Sequence, residues 1–310
     1  MISILIRLFA GFLLVVSMGV GAVYTYFGWS EGVPAPDRAF FTIAESARPL
    51  VIAHRGGAGL FPENTLYAFE QSWKLGVDVL ELDVNETADG KLVVMHDRTV
   101  NRTTDGSGQI GEMPLEAIKK LNAGYRFSPD GGKTFPFREQ KIRVPTLEEV
   151  FAALPDARFN IEPKQASPTI IKSLCGLIRE RKMTEKVVVG SFNQTGLDDF
   201  RRQCPEVATS AGTSEVSQFL AMYKTGLGAS YSPAMQALQI PEKVGSLQIV
   251  SKEFVDAARQ LNLQVHVWTI NESSDMQRLL ETGVDGIMTD YPDRLLKLLG
   301  RTIIIKKNGN

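Results

Sequence analysis

Val79-Leu80-Glu81-Leu82-Asp83-Val84 alternates apolar and acidic residues with a period of two. An extended chain therefore carries Leu80, Leu82 and Val84 on one face and the carboxylates of Glu81 and Asp83 on the other. Similar short β-branched runs recur on both sides: Leu50–His54, Leu92–His96, Arg158–Glu162, Lys186–Gly190, Val207–Ser210, Ala237–Ile240, Gln264–Thr269 and Gly286–Thr289. Amphipathic helical patterns fall between them at Thr65–Leu75, Thr146–Leu154, Pro168–Arg181, Gln194–Gln203, Glu215–Lys224, Lys252–Leu261 and Ser273–Thr282, several with Ser, Thr or Asn near the start. Strands alternating with helices signal a parallel sheet wrapped by helices, and the count points to an α/β chain folded as a (β/α)8 TIM barrel. Nine candidate strands exceed the eight of a closed barrel, and Ala237–Ile240, the weakest, is the first suspect for the surplus.

Two connections depart from the regular pattern. Asn85–Lys91 is too short for a crossover helix and should be extended. Residues 97–143 form a small insertion after the third strand, marked by the turn signals Asp105-Gly106-Ser107-Gly108 and Asp130-Gly131-Gly132. Its Phe127, Phe135 and Phe137 are expected to pack locally rather than meet an apolar substrate.

Across 310 residues, 44% hydrophobic and 22% charged, the composition is that of an ordinary globular chain. A net charge of -1 offers no broad positive field, which argues against nucleic acid as a partner. Cys175 and Cys204 are too few and too far apart in sequence for a zinc site; they read as packing residues that an extracytoplasmic setting would allow to pair.

From Leu8 to Phe27 no charge interrupts an apolar run long enough to cross a bilayer as a helix. Arg7 precedes it and the first charges after it are Glu31 and Asp37, so the positive-inside bias keeps the N-terminus in the cytoplasm and exports the remainder. Residues 1–29 are thus expected to be a single-pass anchor in the cytoplasmic membrane, with Tyr24, Tyr26, Phe27 and Trp29 at the outer interface. A signal peptide cut at Ala22 is the alternative. Residues 30–48 read as a linker, 49–300 as the barrel and 301–310 as a basic tail.

Chemistry concentrates at predicted strand ends. His54 closes the first strand and His96 the third, and in such a barrel the C-terminal strand ends converge on one site. His266 lies within a strand and is read as structural. Glu81 and Asp83 repel one another unless a hard divalent cation lies between them, and Glu162, ending the fourth strand, can complete a carboxylate set suited to Mg2+ or Ca2+.

The ordered set Ala53-His54-Arg55-Gly56, Pro62-Glu63-Asn64-Thr65, Glu81-Leu82-Asp83, Asp89-Gly90 and Val94-Met95-His96-Asp97 resembles the glycerophosphodiester phosphodiesterase family. Pro145-Thr146-Leu147-Glu148-Glu149, Ile161-Glu162-Pro163-Lys164, Val267-Trp268-Thr269-Ile270-Asn271 and Asp285-Gly286-Ile287-Met288-Thr289-Asp290-Tyr291-Pro292 extend the resemblance over roughly Val51 to Leu298. It implies hydrolysis of a glycerophosphodiester to a glycerol phosphate and an alcohol, with Glu81, Asp83 and Glu162 holding the metal and His54 and His96 as the acid–base pair. Arg55 and Lys164 would offset phosphoryl charge. Glu63 would orient the histidine and arginine side chains or lie near the metal, Asn64 and Thr65 would start a helix in a capping role, and Trp268 and Tyr291 would contact the glycerol or head group. Val144-Pro145-Thr146-Leu147, the Gly131–Phe137 loop and the membrane segment resemble the lysophospholipase D-like branch, which makes lysophospholipids the alternative substrate. A non-catalytic binding barrel is disfavoured because the carboxylates and strand-end histidines are all intact.

Overall fold

The computed structural model describes residues 30–42, 49–165 and 167–301, with scattered residues between 9 and 28. Its strands are β1 (Leu50–Ala53), β2 (Val79–Glu86), β3 (Leu92–Val94), β4 (Phe159–Pro163), β5 (Val187–Val189), β6 (Ala208–Thr209), β7 (Ala237–Pro241), β8 (Lys243–Val244), β9 (Leu247–Gln248), β10 (Gln264–Trp268) and β11 (Gly286–Thr289). The helices are α1 (Leu66–Leu75), α2 (Leu115–Ile118), α3 (Leu147–Ala153), α4 (Pro168–Glu180), α5 (Gln194–Gln203), α6 (Thr213–Lys224), α7 (Lys252–Gln260), α8 (Ser273–Thr282) and α9 (Pro292–Leu298). Among the described residues the sheet runs β6-β5-β4-β2-β1-β11-β10-β7 with every pair parallel. A parallel bridge between Ser210 and Ala237 joins its two ends into a nearly closed eight-stranded barrel.

The surplus strand is not Ala237–Ile240. That segment is β7, paired with β10 from Ala237 to Pro241, and it belongs to the barrel wall. The strand outside the barrel is β3, which folds back antiparallel on β2 with Val84 opposite Val94 and Glu86 opposite Leu92. The short connection dictates this: it can close a hairpin but cannot carry the chain back to start a parallel neighbour.

Period-two alternation sorts each strand into two faces. Leu80, Leu82, Val84, Phe159, Ile161, Val187 and Val189 point outward into the main core under the helices. Leu50, Ile52, Val79, Val188, Ala208, Ala237 and Met288 point into the barrel near its base. Residues 30–42, in the stretch read as a linker, lie against that base and insert Phe40 and Phe41 into the same inner cluster. Burying each such ring contributes ~1.5–3 kcal/mol toward holding the segment in place.

Within the 97–143 stretch, Val100, Ile110, Ile118 and Ala123 share a separate small core with Val93, Met95 and Val144. Local capping fixes helix starts nearby: Thr65 accepts from the Ala68 N–H, and Thr146 and Glu149 form a reciprocal capping box. Cys175 in α4 and Cys204 after α5 are joined by a disulfide. The Leu8–Phe27 segment is only partly described, and of the basic tail only Arg301 is among the described residues. Among the described residues no helix is long and apolar enough to cross a membrane.

Candidate active site

Moving up the barrel interior, side chains change from apolar to ionised. His266 marks the middle: it is buried, with Nε2 3.2 Å from Gln264 Oε1 and Nδ1 3.5 Å from Gln239 Nε2. Gly286 makes room for it, since a Cβ there would come within 2.9 Å of the imidazole. Above this level β2 presents Glu81 and Asp83, and the parallel register with β4 sets Glu162 beside Asp83. One oxygen from each of these three carboxylates lies within 4.8 Å of the others. Such a set of oxygen donors, buried at Glu81 and Asp83 and half-buried at Glu162, fits a hard divalent cation.

The surroundings aim these carboxylates. Lys164, just past β4, places Nζ 2.8 Å from Asp83 Oδ1 and 2.9 Å from Glu162 Oε2. The Asn64 amide donates to Asp83 Oδ2 at 2.8 Å, and its Oδ1 accepts the Asp83 backbone N–H at 3.2 Å. The Arg55 backbone N–H donates to Glu81 Oε2 at 2.7 Å, and its guanidinium lies 3.5 Å from Asp83 and 3.1 Å from Glu63. Burial, and then the charge of Asp83, raise Glu81 above the usual carboxylate range. Burial also raises Glu162 despite its contact with Lys164. For Asp83 burial acts in the same sense, but the charge and hydrogen bond of Lys164, with Arg55 and Asn64, outweigh it and hold the group low. The protein thus supplies positive charge to only part of the cluster, and the deficit at Glu81 is one that a bound cation would remove.

Each strand-end histidine is backed by its own carboxylate. His54 Nδ1 lies 2.7 Å from Asp290 Oδ1, and Asp290 Oδ2 in turn accepts from Asn271 Nδ2 at 2.7 Å. Asn271 is itself fixed, because its Oδ1 accepts from Thr289 Oγ1 and from the Asp290 N–H. Burial works to lower the His54 pKa, but the Asp290 hydrogen bond and the Glu81 charge outweigh it and hold His54 above the ordinary histidine value. On the other side His96 Nδ1 lies 2.8 Å from Asp97 Oδ1. Arg102 grips Asp97 with Nε at 2.8 Å and Glu63 with two nitrogens, each at 2.7 Å. A hydrogen bond from Arg102 is the main reason Asp97 is held down to about 2.

The structure therefore brings together His54, Arg55, Glu63, Glu81, Asp83, Glu162 and Lys164, with His96 joined through Asp97 and Arg102. Trp268 closes β10 and Tyr291 follows β11, next to Asp290, and each ring has contacts of its own. Trp268 meets Phe192 edge-on at 5.7 Å, while Tyr291 packs over Gly59 beneath the Arg294 guanidinium, 3.9 Å from its ring centroid. One sequence expectation is corrected: Asn64 does not cap α1, a role that Thr65 alone fills, but braces Asp83. Asp290, Asn271 and Asp97 stood inside the quoted motifs without an assigned role. Arg102, reaching back from the insertion, carried no local signal.

The chain matches the Glycerophosphoryl diester phosphodiesterase family over residues 54–294. It is 37% identical to a glycerophosphodiester phosphodiesterase from Caldanaerobacter subterraneus over 257 residues, covering 81% of this chain and 98% of that one. A lysophospholipase D from Homo sapiens is 27% identical over 273 residues, covering 80% of this chain and 85% of that protein. Among solved structures, a phosphodiesterase from Oleispira antarctica in complex with the product sn-glycerol-3-phosphate superposes with a TM-score of 0.67 at 25% identity, covering 81% of this chain and 97% of that chain.

Proposed function

Since the chain belongs to the glycerophosphodiester phosphodiesterase family and is an enzyme of that kind, we propose that it hydrolyses glycerophosphodiesters to glycerol 3-phosphate and an alcohol, with His54 and His96 exchanging protons beside a divalent cation held by Glu81, Asp83 and Glu162. One observation carries this reading: three converging carboxylates lie between two histidines whose Nδ1 atoms are each engaged by a separate aspartate. With Nδ1 so held, Nε2 of each ring is the nitrogen left to work on substrate. One histidine takes the proton from the attacking hydroxyl, which we assign to the glycerol hydroxyl next to the phosphate. The other protonates the departing alkoxide. Water then opens the cyclic phosphate with the proton roles reversed. Arg55 and Lys164 oppose the charge on the phosphoryl oxygens and keep the diester oriented. When bound, Mg2+ or Ca2+ would supply Lewis-acid polarisation of those same oxygens.

The similarity to a lysophospholipase D makes lysophospholipids the second substrate class. Chelating the purified enzyme and re-adding Mg2+, Ca2+ or Mn2+, with glycerophosphocholine, glycerophosphoethanolamine and lysophosphatidylcholine compared by product, separates the two readings. Full activity in excess chelator with no metal detected refutes the cation assignment. Release of lysophosphatidic acid in preference to glycerol 3-phosphate refutes the substrate assignment.

The Leu8–Phe27 run supports a further part of the proposal, that the chain is anchored in the cytoplasmic membrane with its barrel outside. The Cys175–Cys204 disulfide is in keeping with an oxidising compartment. A C-terminal reporter active only after export should work, and one that fluoresces only in the cytoplasm should stay dark.

A further inference from the structure

Residues 30–42 settle where the chain enters the barrel. Gly32 donates its N–H to Ala229 O at 2.8 Å, and Ala35 donates to Leu261 O at 2.9 Å. The Val33 N–H reaches Ser232 Oγ at 3.0 Å, and Arg38 reaches Pro205 O at 2.7 Å. The Asn262 side chain returns the contact, donating to Ala35 O at 2.8 Å and to Asp37 at 2.9 Å. Every partner lies in a connection leading from a helix into the next strand: Pro205 before β6, Ala229 and Ser232 before β7, Leu261 and Asn262 before β10. Those connections line the base of the barrel, opposite the strand ends that carry His54, Asp83 and Glu162.

Resting on the membrane-anchor reading above, we infer that the barrel stands with its base toward the bilayer and its mouth toward the water, so that the enzyme takes its phosphodiesters from solution and not from the bilayer that holds it. Reach decides the point. Between Phe27 and the docked Gly32 the chain spans at most ~18 Å when fully extended. The wall from base to mouth is about 20 Å high, judged from α4 with its 13 residues at ~1.5 Å each. A tether fastened at the base is therefore too short to turn the mouth onto the same membrane while residues 30–42 stay docked. The insertion's aromatic residues point the same way, because they are engaged with one another. Phe127 meets Phe137 at 5.3 Å, Phe137 meets Tyr67 at 5.2 Å, and Arg138 covers the Phe135 ring at 3.9 Å. They form a packed corner and not an open track for an acyl chain.

Orientation can be read directly on the full-length enzyme in phosphatidylcholine vesicles. Both native cysteines are in the disulfide, so an introduced cysteine is the one reactive thiol. A donor dye is placed at Lys224→Cys, at the base end of α6, or at Lys243→Cys, in the hairpin beyond β7 at the mouth. Energy transfer to acceptor-labelled lipid head groups should be at least about twofold stronger from position 224, given the ~20 Å height of the wall. Equal transfer, or stronger transfer from position 243, overturns the inference. Protein that does not float with the vesicles overturns the anchor reading and this inference with it. A parallel assay supplies glycerophosphocholine in solution and long-chain lysophosphatidylcholine confined to the enzyme's own vesicles. Cleavage of the soluble diester alone, or by a large excess, is expected, and comparable cleavage of both overturns the proposal. If neither is cleaved, the reaction assigned above is wrong, and the dyes still report the orientation.

Discussion

Replacing Asp290 by Asn probes the histidine chemistry at a single contact. Asp290 Oδ1 lies 2.7 Å from His54 Nδ1, and its other oxygen is held by Asn271 at 2.7 Å. Asp290→Asn keeps the shape of the side chain and removes its charge. A hydrogen bond to a charged group contributes about 1.5–3 kcal/mol. If that interaction supports the transition state, its loss slows turnover by about 10- to 10²-fold, at about 1.4 kcal/mol per decade. The loss should appear in kcat more than in KM, because in the proposed mechanism His54 acts on a moving proton and not on substrate affinity. The pKa moves in a defined direction. Burial already pulls His54 down, and Asp290 is the first of the influences that hold it up, so removing the charge lowers the His54 pKa. Whether His54 serves as acid or base, the limb of the pH–rate profile that it governs shifts to lower pH. Only three histidines are present, so an NMR titration can follow His54 directly. Activity within twofold of the parent, with an unmoved His54 titration, would refute the reasoning.

Three further outcomes follow from the same geometry. Glu81→Gln should abolish turnover and weaken Mg2+ or Ca2+ binding measured by calorimetry, because it removes one of the three converging carboxylates, whereas Glu86→Gln, outside the cluster, should leave both largely intact. Arg102→Met cuts the link between Asp97 and Glu63 and should lower kcat by ~10-fold if the charged hydrogen bonds it breaks together contribute ~1.5 kcal/mol to the transition state; stopped-flow rates at the parent level would count against its positioning role. Phe40→Ala empties the plug at the barrel base and should cost about 3–5 kcal/mol in a urea titration, while a loss under ~1 kcal/mol would show the 30–42 segment to be dispensable for stability.

The barrel was legible because period-two alternation is a local signal, and β2 displays it without interruption. The exchange of β3 and β7 has a physical cause. Leu92, Val93 and Val94 are buried on both faces, with Val94 in the main core and Val93 in the small core of the insertion. A hairpin arm covered in this way has the composition of a barrel strand. The length of the Asn85–Lys91 connection was the better guide, since it depends on chain reach and not on hydrophobicity. β7 looked weak because Gln239 faces the barrel interior, where it meets His266 and Asn160, and that partnership is visible only in three dimensions. In the candidate site, residues of recognisable chemistry at strand ends were readable. Residues that orient them from a distance were not, Arg102 most clearly, because a side chain crossing from an insertion leaves no spacing to detect.

Two bracing residues also show where the fold accepts a local cost. Arg55 and Asn64 both adopt left-handed backbone, with φ of 51° and 56°. Asn tolerates that conformation because its short polar side chain can bond locally, whereas for Arg the same region costs roughly 1–2 kcal/mol. In both cases the unusual backbone coincides with a contact to a carboxylate of the cluster. The Arg55 N–H reaches Glu81 at 2.7 Å, and the Asn64 side chain grips Asp83 through both of its polar atoms. An extended Arg55 would redirect the chain that follows it and pull its carbonyl away from the Asn64 N–H, which it accepts at 2.9 Å, at a cost of about 1–3 kcal/mol. The strain and the contact it secures are therefore of similar size, which explains how such a conformation persists. It also places the rigidity of the site in the loop after β1, so that Glu81 and Asp83, although they stand on a regular strand, take their final aim from residues 55 and 64.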